Sequence, residues 1–152
     1  MKLKEENISI INKKAKFNYF IEDEYIAGIV LTGSEIKSIR KRNVSISESF
    51  CEFNDNDELF INKMYVKEYQ NSNFNRNSLS QRKLLLKKKE LKKLKKKIAD
   101  VGLTIIPLNL FINDSGLAKI KIALAKGKKL YDKRQNIKEI EMKRDIERSR
   151  KK

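Results

Sequence analysis

The stretch Leu117–Arg134, LAKIKIALAKGKKLYDKR, decides how the rest of the chain is read. Leu117, Lys119, Lys121, Ala123 and Ala125 alternate with Ala118, Ile120, Ile122 and Leu124, which is the period of a strand with one face built for a core. After Ala125 the alternation stops, and Lys126, Lys128, Lys129, Lys133 and Arg134 gather around one aromatic residue, Tyr131. A core strand that passes directly into a basic arm describes a folded domain holding out a segment toward an anionic partner.

Upstream, Leu103–Asn113 pairs with this strand as a hairpin around Asp114-Ser115-Gly116, and Pro107 marks an edge or a bulge. Before the hairpin, the pattern predicts a long helix from a cap at Ser80 to about Val101, closed by Gly102. On its wheel Leu84, Leu91, Leu94, Ile98 and Val101 share one stripe, while Leu85 falls on the opposite side among Lys89, Lys92 and Lys96. A leucine there is an accident, a first turn oriented by the preceding loop, or a contact residue; the wheel alone favours the first two.

The N-terminal half reads as strands. Phe17–Ile21 and Tyr25–Thr32 are separated by an acidic turn, Glu22-Asp23-Glu24, and Gly28 marks a bulge or a close backbone approach. Ser34 caps a short helix, Glu35–Arg40. Val44–Phe53 and Glu58–Val66 form a hairpin around Asn54–Asp57, and residues 67–80 are a polar loop. Residues 1–11 form a flexible lead-in, 12–130 the folded unit and 131–152 a basic tail. In that tail Ile137 and Ile140 lie on one side of a helical wheel, and Met142 and Ile146 on another. With no stripe to dock, the tail is expected to be disordered when free and helical on a partner. Five or six short strands, one short helix and one long helix before a final hairpin fit a mostly β fold, a small OB-like β-barrel, better than a sandwich.

Charge narrows the partner. The chain carries 36 basic and 20 acidic residues, a net charge of +16. Gln81–Lys97 holds ten basic residues and one acidic, and Lys126–Lys152 holds twelve and five; the remainder is balanced. Such blocks are electrostatic binding surfaces. There is no histidine and a single cysteine, Cys51, in an alternating apolar run, so no zinc site and no Ser-His-Asp or Cys-His catalysis can be assembled. Neither GxGxxG nor a Walker motif is present, and no cofactor or enzymatic activity is expected. Glu22-Asp23-Glu24 could serve a divalent ion as nuclease carboxylates do, but adjacent strand residues point in alternate directions, which favours a solvated turn.

The N-terminus has no apolar segment of a signal peptide and no long apolar run follows, which places the chain in the cytoplasm and off the membrane. An amphipathic helix on anionic lipid is disfavoured because the apolar stripe belongs to the sheet. RNA suits basic edges and an exposed aromatic better than a duplex groove does, so no DNA is expected. A general RNA chaperone or a ribosome-associated basic protein remains the alternative from charge alone.

Five segments then become recognisable in order and spacing. They are Asn12-Lys13-Lys14-Ala15, Tyr19-Phe20-Ile21-Glu22, AGIVLTGSEIKSIR over 27–40, RKLLL over 82–86 and AKGKKLYDKR over 125–134. From about Asn12 to the end, the chain resembles the small protein B family, the SsrA-binding proteins. The resemblance implies an OB-like barrel with extra helices. It implies a non-enzymatic partner of transfer-messenger RNA (tmRNA), which it brings to bacterial ribosomes stalled on messages without a stop codon.

The same resemblance implies that Leu85 and Lys119 bind the tRNA-like domain of tmRNA, joined by Asn12, Lys13, Arg82 and Lys83. It reverses the reading of Leu85, which becomes an apolar contact inside an electrostatic site. It further implies that Lys126, Gly127, Lys128, Lys129, Tyr131, Asp132, Lys133 and Arg134 enter the decoding region of the small ribosomal subunit, where the tail becomes helical. Tyr131 stands where some members have histidine, and either ring can stack on a base. The family's acid before Ala27-Gly28 is replaced by Ile26, and Glu24 lies one pleat step away on the same face.

Overall fold

A computed structural model describes residues 7–70, 72 and 75–150. β1 (Ser9–Ile11) leads to the single turn α1 (Ala15–Asn18) and the long strand β2 (Tyr19–Ile29). Next come α2 (Gly33–Arg40), β3 (Val44–Ser45), β4 (Phe50–Phe53), β5 (Leu59–Asn62) and β6 (Tyr65–Val66). β7 (Arg82–Leu85), α3 (Lys88–Ile98), β8 (Leu103–Ile112), β9 (Ala118–Gly127) and α4 (Leu130–Arg150) complete the chain.

The sheet is antiparallel in the order β8-β4-β5-β7-β2-β9, and β9 returns to pair with β8, so it closes a ring. β1 adds to β8 beside β4, while β3 and β6 form a separate small ladder. The hairpin that the alternation predicts forms the spine. Ala118, Ile120, Ile122 and Leu124 all enter the core, beside Ala27, Ile29, Leu59, Ile61, Leu84 and Leu110. Ala123 and Ala125, from the other face, are buried as well. Ala125 packs with Ala15 and Ile106 beneath α1, where only a small side chain lets the helix approach. Pro107 sits at a bulge, since the β8–β9 register shifts between Pro107 and Asn109.

Several expected boundaries move. Ser9–Ile11, expected in the lead-in, pair with Asn109–Phe111 of β8; residues 1–6 lie outside the described residues. Phe17 belongs to α1, and the acidic turn is part of one continuous strand. The β2–β9 register shifts between Ile21 and Asp23, so Glu22 is the extra residue of a bulge. A full-length partner strand overrides the local turn preference of the acids, because leaving β9 unpaired there would orphan its backbone groups. Thr32, not Ser34, caps α2: Thr32 Oγ1 accepts from Glu35 N at 3.3 Å, and Glu35 Oε1 accepts from Thr32 N at 3.0 Å.

The largest correction concerns the helix expected from Ser80. Residues 82–85 are a strand between β5 and β2, and the helix begins only at Lys88. Strand alternation therefore decides which side chains face inward: Arg82 and Leu84 are buried, whereas Lys83 and Leu85 point outward. Leu94 is buried and Leu91 and Ile98 pack on the core as the wheel requires, but the helix stops at Ile98 and Val101 is exposed. The tail from Leu130 is a helix that buries no residue.

Candidate RNA interface

Gly28 of β2 is in register with Leu85 of β7 on one side and Lys119 of β9 on the other. At roughly 4.8 Å between neighbouring strands, Leu85 and Lys119 are held about 10 Å apart on one outer face. A Cβ on Gly28 would lie 3.3 Å from Leu85 Cβ, so the bare backbone lets Leu85 lean across β2. This is the close approach that Gly28 signals in the sequence. Leu85 is 52% exposed. Among the described residues Lys119 makes neither an ion pair nor a hydrogen bond, which leaves its ammonium free for an anion.

The same face carries Phe111, which motif reading missed, and Ile26, the residue that replaces the family's acid. Phe111 is the β8 partner of Lys119, and exposed Ile26 is the β2 partner of Lys121. Glu24, one pleat step from Ile26, pairs with Lys121 (Nζ to Oε2, 3.4 Å) and not with Lys119. The period-two pattern Glu24-Ile26-Gly28 places these residues on one face, as the pleat predicts. The acids at 22–24 share no point for a cation: Glu22 is exposed, Asp23 pairs with Lys97 of α3, and Glu24 faces Lys121. Hydrogen bonding to Lys97 holds the Asp23 carboxyl below its ordinary range and the Lys97 ammonium above its own.

The other expected contacts separate into outside and inside. Lys83 lies on the outer face two residues before Leu85, where its ammonium engages Glu58 and lowers that carboxyl from its ordinary value, with help from Asn54. Lys13 is exposed beside Asn12. Asn12 itself is 8% exposed and clasps the β8 bulge, donating Nδ2 to Pro107 O at 2.9 Å and its backbone N–H to Leu108 O at 2.8 Å. Arg82 is 1% exposed, inside the ring. Its Nε donates to Glu35 Oε2 at 2.5 Å, Nη1 to Met64 O and Ser80 O, and Nη2 to Ser78 O. Arg82 therefore holds backbone and buried charge, whereas Asn12 holds the β8 bulge through its donors and keeps a buried Oδ1 without a partner among the described residues.

The second group lies at the far end of β9. Lys126 lies seven positions beyond Lys119, about 23 Å of strand. Lys126 and Gly127 end β9. Lys128 is tied to α1: its backbone N–H donates to Asn18 O at 2.8 Å, and Nζ donates to Lys16 O at 2.9 Å while lying 4.9 Å above the Phe20 ring. Lys129 N donates to Asp132 Oδ2 at 3.2 Å, which fixes the first turn of α4 and sets an acid at its positive end. Tyr131 is 75% exposed, Arg134 is exposed and Lys133 half-buried. Cys51 is sealed in the core, where burial pushes its thiol pKa up. No helix among the described residues is long and apolar enough to cross a membrane.

Comparison with known proteins places the chain as a whole. The family model described as SmpB protein matches residues 9–152. The SsrA-binding protein of Christiangramia forsetii is 60% identical over 146 residues, covering 95% of this chain and 92% of that protein. The SsrA-binding protein of Flavobacterium johnsoniae is 55% identical, covering 96% and 97%. A solved structure described as "tmRNA-SmpB: a journey to the center of the bacterial ribosome" superposes with a TM-score of 0.68 at 39% identity, covering 81% of this chain and 86% of that one. A family model that spans residues 9–152 and a near full-length likeness to these proteins make this chain a member of the SmpB protein family.

Proposed function

We propose that this chain is a non-enzymatic, cytoplasmic tmRNA-binding adaptor of trans-translation, which holds the tRNA-like domain of tmRNA and delivers it to stalled ribosomes. The observation that carries this reading is the register of Leu85, Gly28 and Lys119, which sets an apolar side chain and an unpaired ammonium about 10 Å apart on one exposed face. Such a pair meets a folded RNA with a base or sugar edge on the leucine and a phosphate on the lysine. The names of the relatives, which are SsrA-binding proteins, and the description of the tmRNA-SmpB structure support the same partner.

The ring is an OB-like barrel whose closure holds this face rigid. Lys13 and Lys83 add charge at its margin, while Asn12 and Arg82 position the strands that carry it. Lys126–Arg134 serves a different partner, the decoding region of the small ribosomal subunit, where Tyr131 stacks on a base and α4 stands on RNA. In the free protein the tail samples disorder, because α4 buries no residue and its apolar side chains form no stripe.

A chain ended at Leu130 tests this division of labour, since α4 contributes nothing to the core. It is expected to bind tmRNA as the full chain does, in preference to bulk tRNA, and to fail in tagging nascent chains on stalled ribosomes. Equal loss of both activities would overturn the division. Binding without preference for tmRNA over bulk tRNA would overturn the function. Lys119→Ala is expected to flatten the salt dependence of tmRNA binding by about one phosphate contact.

A further inference from the structure

The corrected start of α3 places the most basic element of the chain where the wheel could not. α3 begins three residues after Leu85, and near its other end Lys97 pairs with Asp23, opposite Leu124 of β9 and three residues before β9 ends. Its 11 residues span about 16 Å. The helix thus runs from the Leu85–Lys119 face toward the root of the tail. Leu91, Leu94 and Ile98 face the core; Lys88, Lys89, Lys92 and Lys96 are exposed, the last three opposite that stripe and Lys88 at its flank.

These four lysines make no hydrogen bond or ion pair among the described residues, whereas Lys95 and Lys97 are paired with Asp57 and Asp23. Lys88 and Lys92, and Lys92 and Lys96, are like charges at i,i+4, an arrangement that opposes the helix. Four residues of helix rise about 6 Å, which sets the Cβ atoms of Lys88, Lys92 and Lys96 in a row at about that spacing. A row of evenly spaced, unneutralised cations complements a row of backbone phosphates and gains by releasing their counterions. The aliphatic stems rise from a helix that has already given its apolar face to the core, so the ridge has nothing apolar to offer a lipid or a protein.

We propose that Lys88, Lys92 and Lys96, with Lys89 beside them, form a phosphate-binding ridge that grips the backbone of the same RNA held at Leu85 and Lys119. The partner is a folded RNA strand that continues from that face along α3 toward the tail. This rests on the proposed function for the identity of the RNA. The ridge adds affinity without base selectivity; selection stays with the Leu85–Lys119 face.

The test compares the full-length parent with Lys88→Gln/Lys92→Gln/Lys96→Gln and with the corresponding triple arginine variant, each titrated with tmRNA and, separately, with 70S ribosomes over a range of salt. The glutamine variant is expected to lower the slope of log affinity against log salt for tmRNA by about two to three, with the ribosome slope unchanged and the arginine variant restoring the parent's value. Its thermal midpoint is expected to match or exceed the parent's because like charges are removed, which separates a lost contact from a lost fold. An unchanged tmRNA slope overturns the ridge, including the case in which only ribosome binding weakens. A parent that shows no preference for tmRNA over bulk tRNA overturns the proposed function instead, and with it the partner named here.

Discussion

Replacing Arg82 by methionine separates a structural arginine from an RNA-binding one. The guanidinium is 1% exposed and donates to the Glu35 carboxylate and to the carbonyls of Met64, Ser80 and Ser78. Glu35, 4% exposed, also accepts the Thr32 N–H that caps α2. Removing Arg82 leaves the buried Glu35 carboxylate with only the longer, half-exposed contact from Arg76 (Nε to Oε1, 3.8 Å), and breaking the buried pair costs about 3–5 kcal/mol. Against a usual stability of about 5–15 kcal/mol, that is a large fraction of the total. At about 2–4 °C per kcal/mol for a chain of this size, the thermal midpoint should fall by about 6–20 °C.

Urea unfolding of Arg82→Met, Glu35→Gln and the double variant closes a cycle. The glutamine keeps an acceptor for Thr32 but carries no charge. The double variant is therefore expected to be more stable than the sum of the two single losses allows. At a temperature where Arg82→Met is fully folded, the salt dependence of its tmRNA binding should equal the parent's. A loss under about 1 kcal/mol, an additive cycle, or a salt slope reduced by about one would each refute the assignment of Arg82 to the interior.

Gly28→Ala brings a methyl to 3.3 Å from Leu85 Cβ. It should displace Leu85 and weaken tmRNA binding about five-fold, roughly 1 kcal/mol, while moving the thermal midpoint by no more than about 3 °C; unchanged affinity would refute the role of the close approach. Asp23→Asn tests the α3 anchor through pH. The Asp23 carboxyl is held below its ordinary value, so its contribution is present above about pH 4 and is lost as pH falls through the depressed value; the raised Lys97 contributes below about pH 10 and loses its part above. The stability difference between parent and variant, read by urea unfolding, should be flat from about pH 5 to 9 and vanish at strong acid; a difference that persists below about pH 2 would refute it. Cys51, 4% exposed with its thiol pKa pushed up, should react with an aromatic disulfide reagent only at the rate of global unfolding, and fast labelling of the native protein would contradict its burial.

Much of the chain was legible because its information is local. The alternation of Ala118–Ala125 set the spine strand and its inward face. Asn54 marked the β4–β5 turn, where its Oδ1 accepts from the backbones of Asn56 and Glu58. Asp114-Ser115-Gly116 marked the other hairpin, where Gly116 adopts a φ of 80°. The concentration of charge in two blocks, the lack of catalytic residue sets and the motif resemblance needed no fold at all.

What the sequence could not decide was the structure of segments whose partners are distant in the chain. Arg82-Lys83-Leu84-Leu85 satisfies a helical stripe as well as a strand. It becomes a strand because β5 and β2 present unpaired backbone edges to it and because Glu35, forty-seven residues away, waits for Arg82. Glu22-Asp23-Glu24 has turn composition, yet β9 extends it. Short segments carry little intrinsic preference, so backbone hydrogen bonding and buried charge supplied from elsewhere select among their states. The sequence by itself therefore determined the strands with strong alternation, the charge blocks and the family. Only the tertiary structure decided that Leu85 faces outward beside Gly28 and Lys119 while Arg82 faces in, because on a short strand the direction of a side chain follows from its register with neighbours.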